Sequence, residues 1–428
     1  MLDLVLRNCR LPERADPLDL AIAGGRIAAV GSSLGPARET LDAGGCLVTP
    51  GLVEAHIHLD KALLADRVSG SAGTAAEAIR LTGQAKRGFT AADIAARARR
   101  VLDMAVPAGT TAMRAHVEVD PIVALAGMEV MLALKREYAP AVDIQLCAFA
   151  QEGILQAPGT ETLLRRALEM GADLVGGCPY NDTDARRHIE IVFALAREFG
   201  VDADFHVDFF DEPEHLHVRE IIRQTERLGW QTRVAVGHLT EMAALPPAEQ
   251  AALTAELARA GIGVISLPLT DLYLMGRGDE RNVRRGLAPI RRLLEAGVPV
   301  ALASNNIRNP FTPIGTADPA HLAFVAAVAA HMGTPELMRE LVAAVTTYAA
   351  RILNLRDYGC AAGCRADLVV WDCRRPEEIV TSLPARRLVL KAGRVSVEHE
   401  RRVVERWRSG NAHKDHTRID TAGGRHVE

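Results

Sequence analysis

Aromatic side chains are scarce, at 4% of 428 residues. Broad stacking around a large ring is therefore not advertised, although Phe149, Phe209, Phe210, Tyr273 and Phe311 could line a small pocket. Excess charge is also lacking. A net charge of -4 speaks against a nucleic-acid or acidic-membrane partner. No apolar run approaches the ~20 residues that span a bilayer. The start, Met1-Leu2-Asp3-Leu4, places an acid early and has no basic segment before an apolar core, so it reads as no signal peptide. Seven cysteines, an odd number without a C-x-x-C pair, make no disulfide framework and suit a reducing cytoplasm. The combined H-x-E and P-C-x-x-C signature of the nucleotide-type zinc deaminases is absent, which excludes that fold. No internal repeat or low-complexity tract is evident.

What the chain does have is His56-Ile57-His58 at the end of an apolar run, Cys46 to Val53. Side chains at i and i+2 share one face of a strand, so one strand can offer two imidazoles to one divalent ion. Seven more apolar runs follow, at 110–115, 144–150, 174–177, 203–205, 233–236, 263–267 and 298–303, each followed by a helical pattern. Eight such units predict an α/β fold closed as a (β/α)8 TIM-like barrel over residues 51–357. Short strands before residue 50 and over 358–408 predict one small β-sandwich built from both chain ends. Residues 409–428 read as a flexible tail.

Barrel chemistry sits where strands end. Those positions hold His56, His58, Asp60 and Lys61, then His116, Glu118 and Asp120, then Gln151, Cys178, His206, Asp208 and His238. Strand seven offers little beyond Ser266, and strand eight offers Ser304, Asn305, Asn306 and Arg308. Taken singly, each has a plain alternative. A buried histidine such as His206 can be a hydrogen-bonded core residue, Gln151 can satisfy loop backbone, and Asp208 or Lys61 can be solvated charges. His116 can orient a neighbour rather than touch a ligand. Their gathering on one rim is what favours a site.

Several of these stretches carry a likeness. They are Thr49-Pro50-Gly51-Leu52-Val53-Glu54-Ala55-His56-Ile57-His58-Leu59-Asp60-Lys61, Arg114-Ala115-His116-Val117-Glu118, Ala150-Gln151-Glu152-Gly153, Phe205-His206-Val207-Asp208, Gly237-His238 and Ala303-Ser304-Asn305-Asn306-Ile307-Arg308. Across about residues 2 to 405 the chain resembles the amidohydrolase superfamily, in its cytosine deaminase and N-isopropylammelide amidohydrolase branch. The resemblance implies one metal held by His56, His58 and His206, with Asn305 where relatives carry an aspartate. It implies that His238 contacts water or the developing oxyanion, that Gln151 hydrogen-bonds the substrate ring, and that Lys61 polarises a ring carbonyl. Strand four lacks the bridging lysine of two-metal members, which favours one ion.

Two departures follow. Asparagine at 305 can offer a carbonyl oxygen but cannot act as a general base, so Asp208 or His238 must take that task. Phe209 stands where cytosine deaminases carry a glutamate, which argues against cytosine as substrate. The expected activity is hydrolysis of a C–N bond in a small N-heterocycle or cyclic amide. The cofactor is one divalent metal, zinc before iron, manganese or cobalt. Catalytic roles fall to His238, Asp208 and Lys61, and substrate contacts to Gln151, Asn306 and Phe209. The competing reading is a catalytically weak ligand-binding relative, because of Asn305. A homo-oligomer is compatible with the sequence.

Overall fold

The computed structural model describes residues 1–68 and 73–400. The expected tail, 409–428, and the end of the 358–408 segment lie outside them.

Eight parallel strands form one sheet in sequence order: β1 (Leu52–Ile57), β2 (Thr110–Glu118), β3 (Asp143–Ala150), β4 (Leu174–Gly177), β5 (Asp202–Val207), β6 (Val234–His238), β7 (Gly263–Ser266) and β8 (Val300–Leu302). The sheet closes on itself at its rim. Asn305, just past β8, donates its N–H to the His56 carbonyl at 2.8 Å, and its own carbonyl accepts from the His58 N–H at 2.8 Å. The seam of the barrel thus runs between the two histidines of the H-x-H pair. Helices follow the strands and bury an apolar layer against them, for example Ile94, Val101 and Leu102 of helix Ala91–Ala105 and Ile189, Val192 and Phe193 of Ala185–Phe199. That burial is the main force holding a parallel barrel together.

The chain ends build two four-stranded sheets. One has the order Arg26–Gly31, Arg14–Ala23, Leu2–Leu11, Ala37–Asp42. The other has the order Arg394–Glu398, Arg386–Lys391, Leu368–Trp371, Val48–Pro50. Leu6, Leu20, Ile22, Val48, Leu368, Val370 and Leu390 form a common core between them. The sandwich read from the two termini is therefore present, and the N-terminal segment gives all four strands of one sheet and Val48–Pro50 to the other.

One detail departs from the sequence reading. The run 46–53 is not a single barrel strand. Val48–Pro50 pairs antiparallel with Leu368–Trp371 in the sandwich, and the barrel strand begins only at Leu52. The handover is at Pro50-Gly51. Proline has no N–H to continue a ladder. A Cβ on Gly51 would lie 2.0 Å from Thr111 Oγ1, so β2 approaches too closely for any side chain. Periodicity cannot reveal such a break, because every residue on both sides is buried. Gly51→Ala should destabilise the fold by about 1–3 kcal/mol, the usual cost of overpacking. The check is a lower denaturation midpoint at unchanged slope; an unaltered midpoint would contradict the packing.

Candidate active site

The H-x-H pair ends β1 and His206 sits in β5. All three imidazoles are buried. His56 Nε2 and His206 Nε2 face each other at 2.6 Å, and the ring centroids of His58 lie 5.5 Å from His56 and 5.3 Å from His206. One nitrogen from each ring falls within 4.8 Å of the other two. His58 donates from Nδ1 to the His116 carbonyl at 3.1 Å, which leaves Nε2 as the lone-pair nitrogen. That Nε2, and the Asn305 amide oxygen, are buried with no hydrogen-bond partner among the described residues. Burial first, then neighbouring rings (for His58, also Lys61), push all three histidines well below their usual pKa. They are neutral, the form a divalent cation requires. Three neutral imidazoles converge, and Asn305, whose amide oxygen is unpartnered, is bonded through its backbone to two of those residues; such a set fits a divalent ion.

His116 orients. Its ring stacks on His56 at 3.7 Å, and its carbonyl holds His58. Behind it Asp204 lies 3.3 Å from its Nε2 and accepts from Arg114 at 2.7 Å. With His56 and Asp204 it forms a second possible ligand set.

His238 ends β6 at a φ of +71°, followed by Leu239 at +56°. This left-handed pair swings its ring beside His206, centroids 5.1 Å apart. Phe209 stacks on the other face at 3.9 Å. The ring nitrogen Nδ1 lies 2.7 Å from Asp271 Oδ1. Asp271 is fully buried, which raises its pKa, while His238 and the Leu267 N–H pull it back. Nothing in the sequence pointed to Asp271. It lies 33 residues from its partner, in a short helix, Pro268–Leu274, that follows the strand with the least polar end.

Asp208 is placed otherwise than expected. Its two carboxylate oxygens accept from the backbone N–H groups of His217 at 2.7 Å and Val218 at 3.2 Å, the N-cap and first residue of helix Val218–Leu228. A carboxylate there satisfies orphan donors at a helix N-terminus. Its pKa is pushed up to about 8 by burial and by Glu241. Its side chain serves the scaffold, and among the described residues no hydrogen bond or ion pair joins it to His238 or to the three imidazoles.

Lys61 is buried; its ammonium pairs with Glu118 Oε1 at 2.6 Å and donates to Gln151 Oε1 at 3.0 Å, with the Phe311 ring 4.5 Å away. Gln151 Nε2 donates to Cys178 Sγ at 3.2 Å. The Asn306 side-chain oxygen accepts from Asn309 at 2.6 Å. Glu54, hidden within an apolar strand of the sequence, accepts from the Ser304 N–H at 2.9 Å and hydroxyl at 2.5 Å, and so fixes the residue before Asn305. Burial pushes Glu54 up to about 7.

Residues 39–397 match the amidohydrolase family. The chain is 28% identical over 407 residues to an N-isopropylammelide isopropyl amidohydrolase of Pseudomonas sp. (strain ADP), covering 93% of this chain and 98% of the relative. Its fold superposes on the 5-methylcytosine deaminase of Klebsiella pneumoniae with a TM-score of 0.89 at 30% identity, covering 94% of this chain and 100% of the other. It superposes on the N-isopropylammelide isopropylaminohydrolase of Burkholderia multivorans with a TM-score of 0.83 at 29% identity, covering 93% and 99%. These relatives favour an enzyme over a mere binding protein. The chain belongs to the metal-dependent amidohydrolase family, in its cytosine deaminase and N-isopropylammelide amidohydrolase branch, and is a hydrolase of carbon–nitrogen bonds other than peptide bonds.

Proposed function

We propose that the substrate is a small neutral N-heterocycle or cyclic amide and that one divalent ion, zinc by preference, is held by His56, His58, His206 and the Asn305 amide oxygen. The observation that carries this is the convergence of three neutral imidazoles on the side of the barrel where His238 and Lys61 also lie. A bound ion of this kind acidifies water and polarises the atoms it touches.

The protein's own groups do the rest. With Nδ1–H given to Asp271, His238 keeps Nε2 as a base. It takes the proton of the attacking water and returns it to the leaving nitrogen, which cannot depart as an amide anion. This replaces Asp208 as the proton carrier. Lys61 donates to a ring carbonyl as negative charge grows there. Gln151 and Asn306 contact the ring edge, and Phe209 flanks it. The free cysteines suit a cytoplasmic setting, and no described helix is long and apolar enough to cross a membrane.

The test is metal quantification, followed by a screen of pyrimidines, triazines, pterins and hydantoins for ammonia or amine release. Activity that is absent from the metal-loaded protein across that screen would remove the proposal. Asn305→Asp adds a discriminating arm. It should lower turnover tenfold or more, because a new carboxylate competes with His238 for the proton. A tenfold gain would return the base to position 305.

A further inference from the structure

We propose that Glu118 is a positioning residue for the reaction, one carboxylate oxygen fixing the Lys61 ammonium and the other fixing Lys86, so that a single charge ties the substrate-facing lysine to the helix over the barrel mouth. The inference rests on the reading above that Lys61 meets the substrate.

The geometry is direct. Glu118 Oε1 lies 2.6 Å from Lys61 Nζ, and Oε2 lies 2.6 Å from Lys86 Nζ. All three side chains are buried. Lys86 also reaches Asp120 at 2.8 Å and Glu152 at 2.7 Å. Asp60 sets the frame for the pair. Its Oδ1 accepts from the Lys61 N–H at 2.9 Å and its Oδ2 from the Glu118 N–H at 2.8 Å. Lys86 is the last residue of helix Ala75–Lys86, whose buried face is Ala75, Ala78, Thr82 and Lys86. Ala75 and Ala78 pack with Phe209, Leu274, Met275 and Phe311, which come from the segments that follow β5, β7 and β8. The helix therefore covers the same end of the barrel that holds His238.

A buried ammonium needs a counter-charge at close range. Here two ammoniums share one carboxylate. Without it Lys61 loses the carboxylate that is its only ion-pair partner among the described residues, while Lys86, still paired with Asp120 and Glu152, faces it across the space left and is drawn toward those two acids. An ammonium has three donors; Lys61 gives one to Gln151, and its charge is paired with Glu118 at 2.6 Å. What the ammonium can offer a substrate is directed by where these two hold the nitrogen. Displacing the group that orients a reacting partner by about 1 Å can cost about a hundredfold.

The experiment is a double-mutant cycle on the metal-loaded enzyme with Glu118→Gln, Lys61→Met and the double variant. Hydrogen–deuterium exchange of residues 75–86, metal content and turnover are read together. Glu118→Gln should speed exchange in 75–86 tenfold or more and lower kcat tenfold or more, with metal content as in the wild type. In the double variant one positive and one negative charge leave together. Protection of the helix should return toward wild type, while kcat stays as low as in Lys61→Met alone. Independent, multiplying effects on kcat would overturn the proposal. So would an exchange increase spread evenly over β5 and β6, which marks a general loss of stability. Should Glu118→Gln not fold, Glu118→Asp keeps the charge, shortens the reach and is read in the same way. Coupled protection without cleavage of any cyclic amide would sink the functional reading and leave the shared counter-charge standing; cleavage with additive effects would do the reverse.

Discussion

Asp271→Asn lowers turnover at saturating substrate by roughly 10²–10⁴-fold, the range for loss of a working base or of its orienting carboxylate. The reason lies in the 2.7 Å contact between Asp271 Oδ1 and His238 Nδ1. A carboxylate there only accepts, so Nδ1 must carry the proton and Nε2 must present its lone pair. An asparagine can turn its NH₂ toward Nδ1 and stabilise the opposite tautomer. The histidine then carries a proton where it needs a vacancy. Size and shape are nearly unchanged, so metal content and melting temperature should stay close to the wild type. The measurement is kcat against pH for both proteins. Unaltered turnover and profile would show that His238 acts without Asp271.

His206→Ala removes the metal. A ligand outweighs the outer partners of ligands, whose loss alone costs about 10–100-fold in affinity. After gel filtration the variant should retain less than a tenth of the wild-type metal and show no turnover above background. The contact between His206 Nε2 and His56 Nε2 makes the dependence specific, since β5 supplies the nitrogen that faces His56 at 2.6 Å. His116→Ala is the control. It stacks on His56 and its carbonyl, which survives the substitution, still holds His58. It should therefore lose less metal than His206→Ala. Full metal and activity in His206→Ala would end the three-imidazole reading.

The parts of this site that strand geometry and strand order determine were readable in advance. His56 and His58 share a face because strands alternate, and His206 and His238 stand at strand ends because the βα pattern is regular. Residues defined only by a distant partner were not readable. Lys86 closes a helix rich in alanine and looks like surface charge, yet its cage lies 32 to 66 residues away at Glu118, Asp120 and Glu152. Asp271 and Glu54 sit in apolar surroundings that conceal their use. Asp208 shows how a strand-end position leaves the direction of its side chain open. It has the right place in sequence, one residue past β5, but a left-handed φ of +53° accompanies a side chain bound to a helix start. Sequence position specifies which strand a residue ends, and the torsion after that end decides where it points.

The Pro50-Gly51 junction has a mechanical consequence. The strand bearing the H-x-H pair is clamped at its root, where the Gly51 N–H is bonded to the Asp367 carbonyl, and at its tip by Asn305. A barrel excised from its flanking β layer would keep every ligand in its sequence but lose the anchorage that stops this strand from sliding. The terminal segments, far from any reacting atom, thus act as the fixed end of the beam on which the metal's seat is mounted.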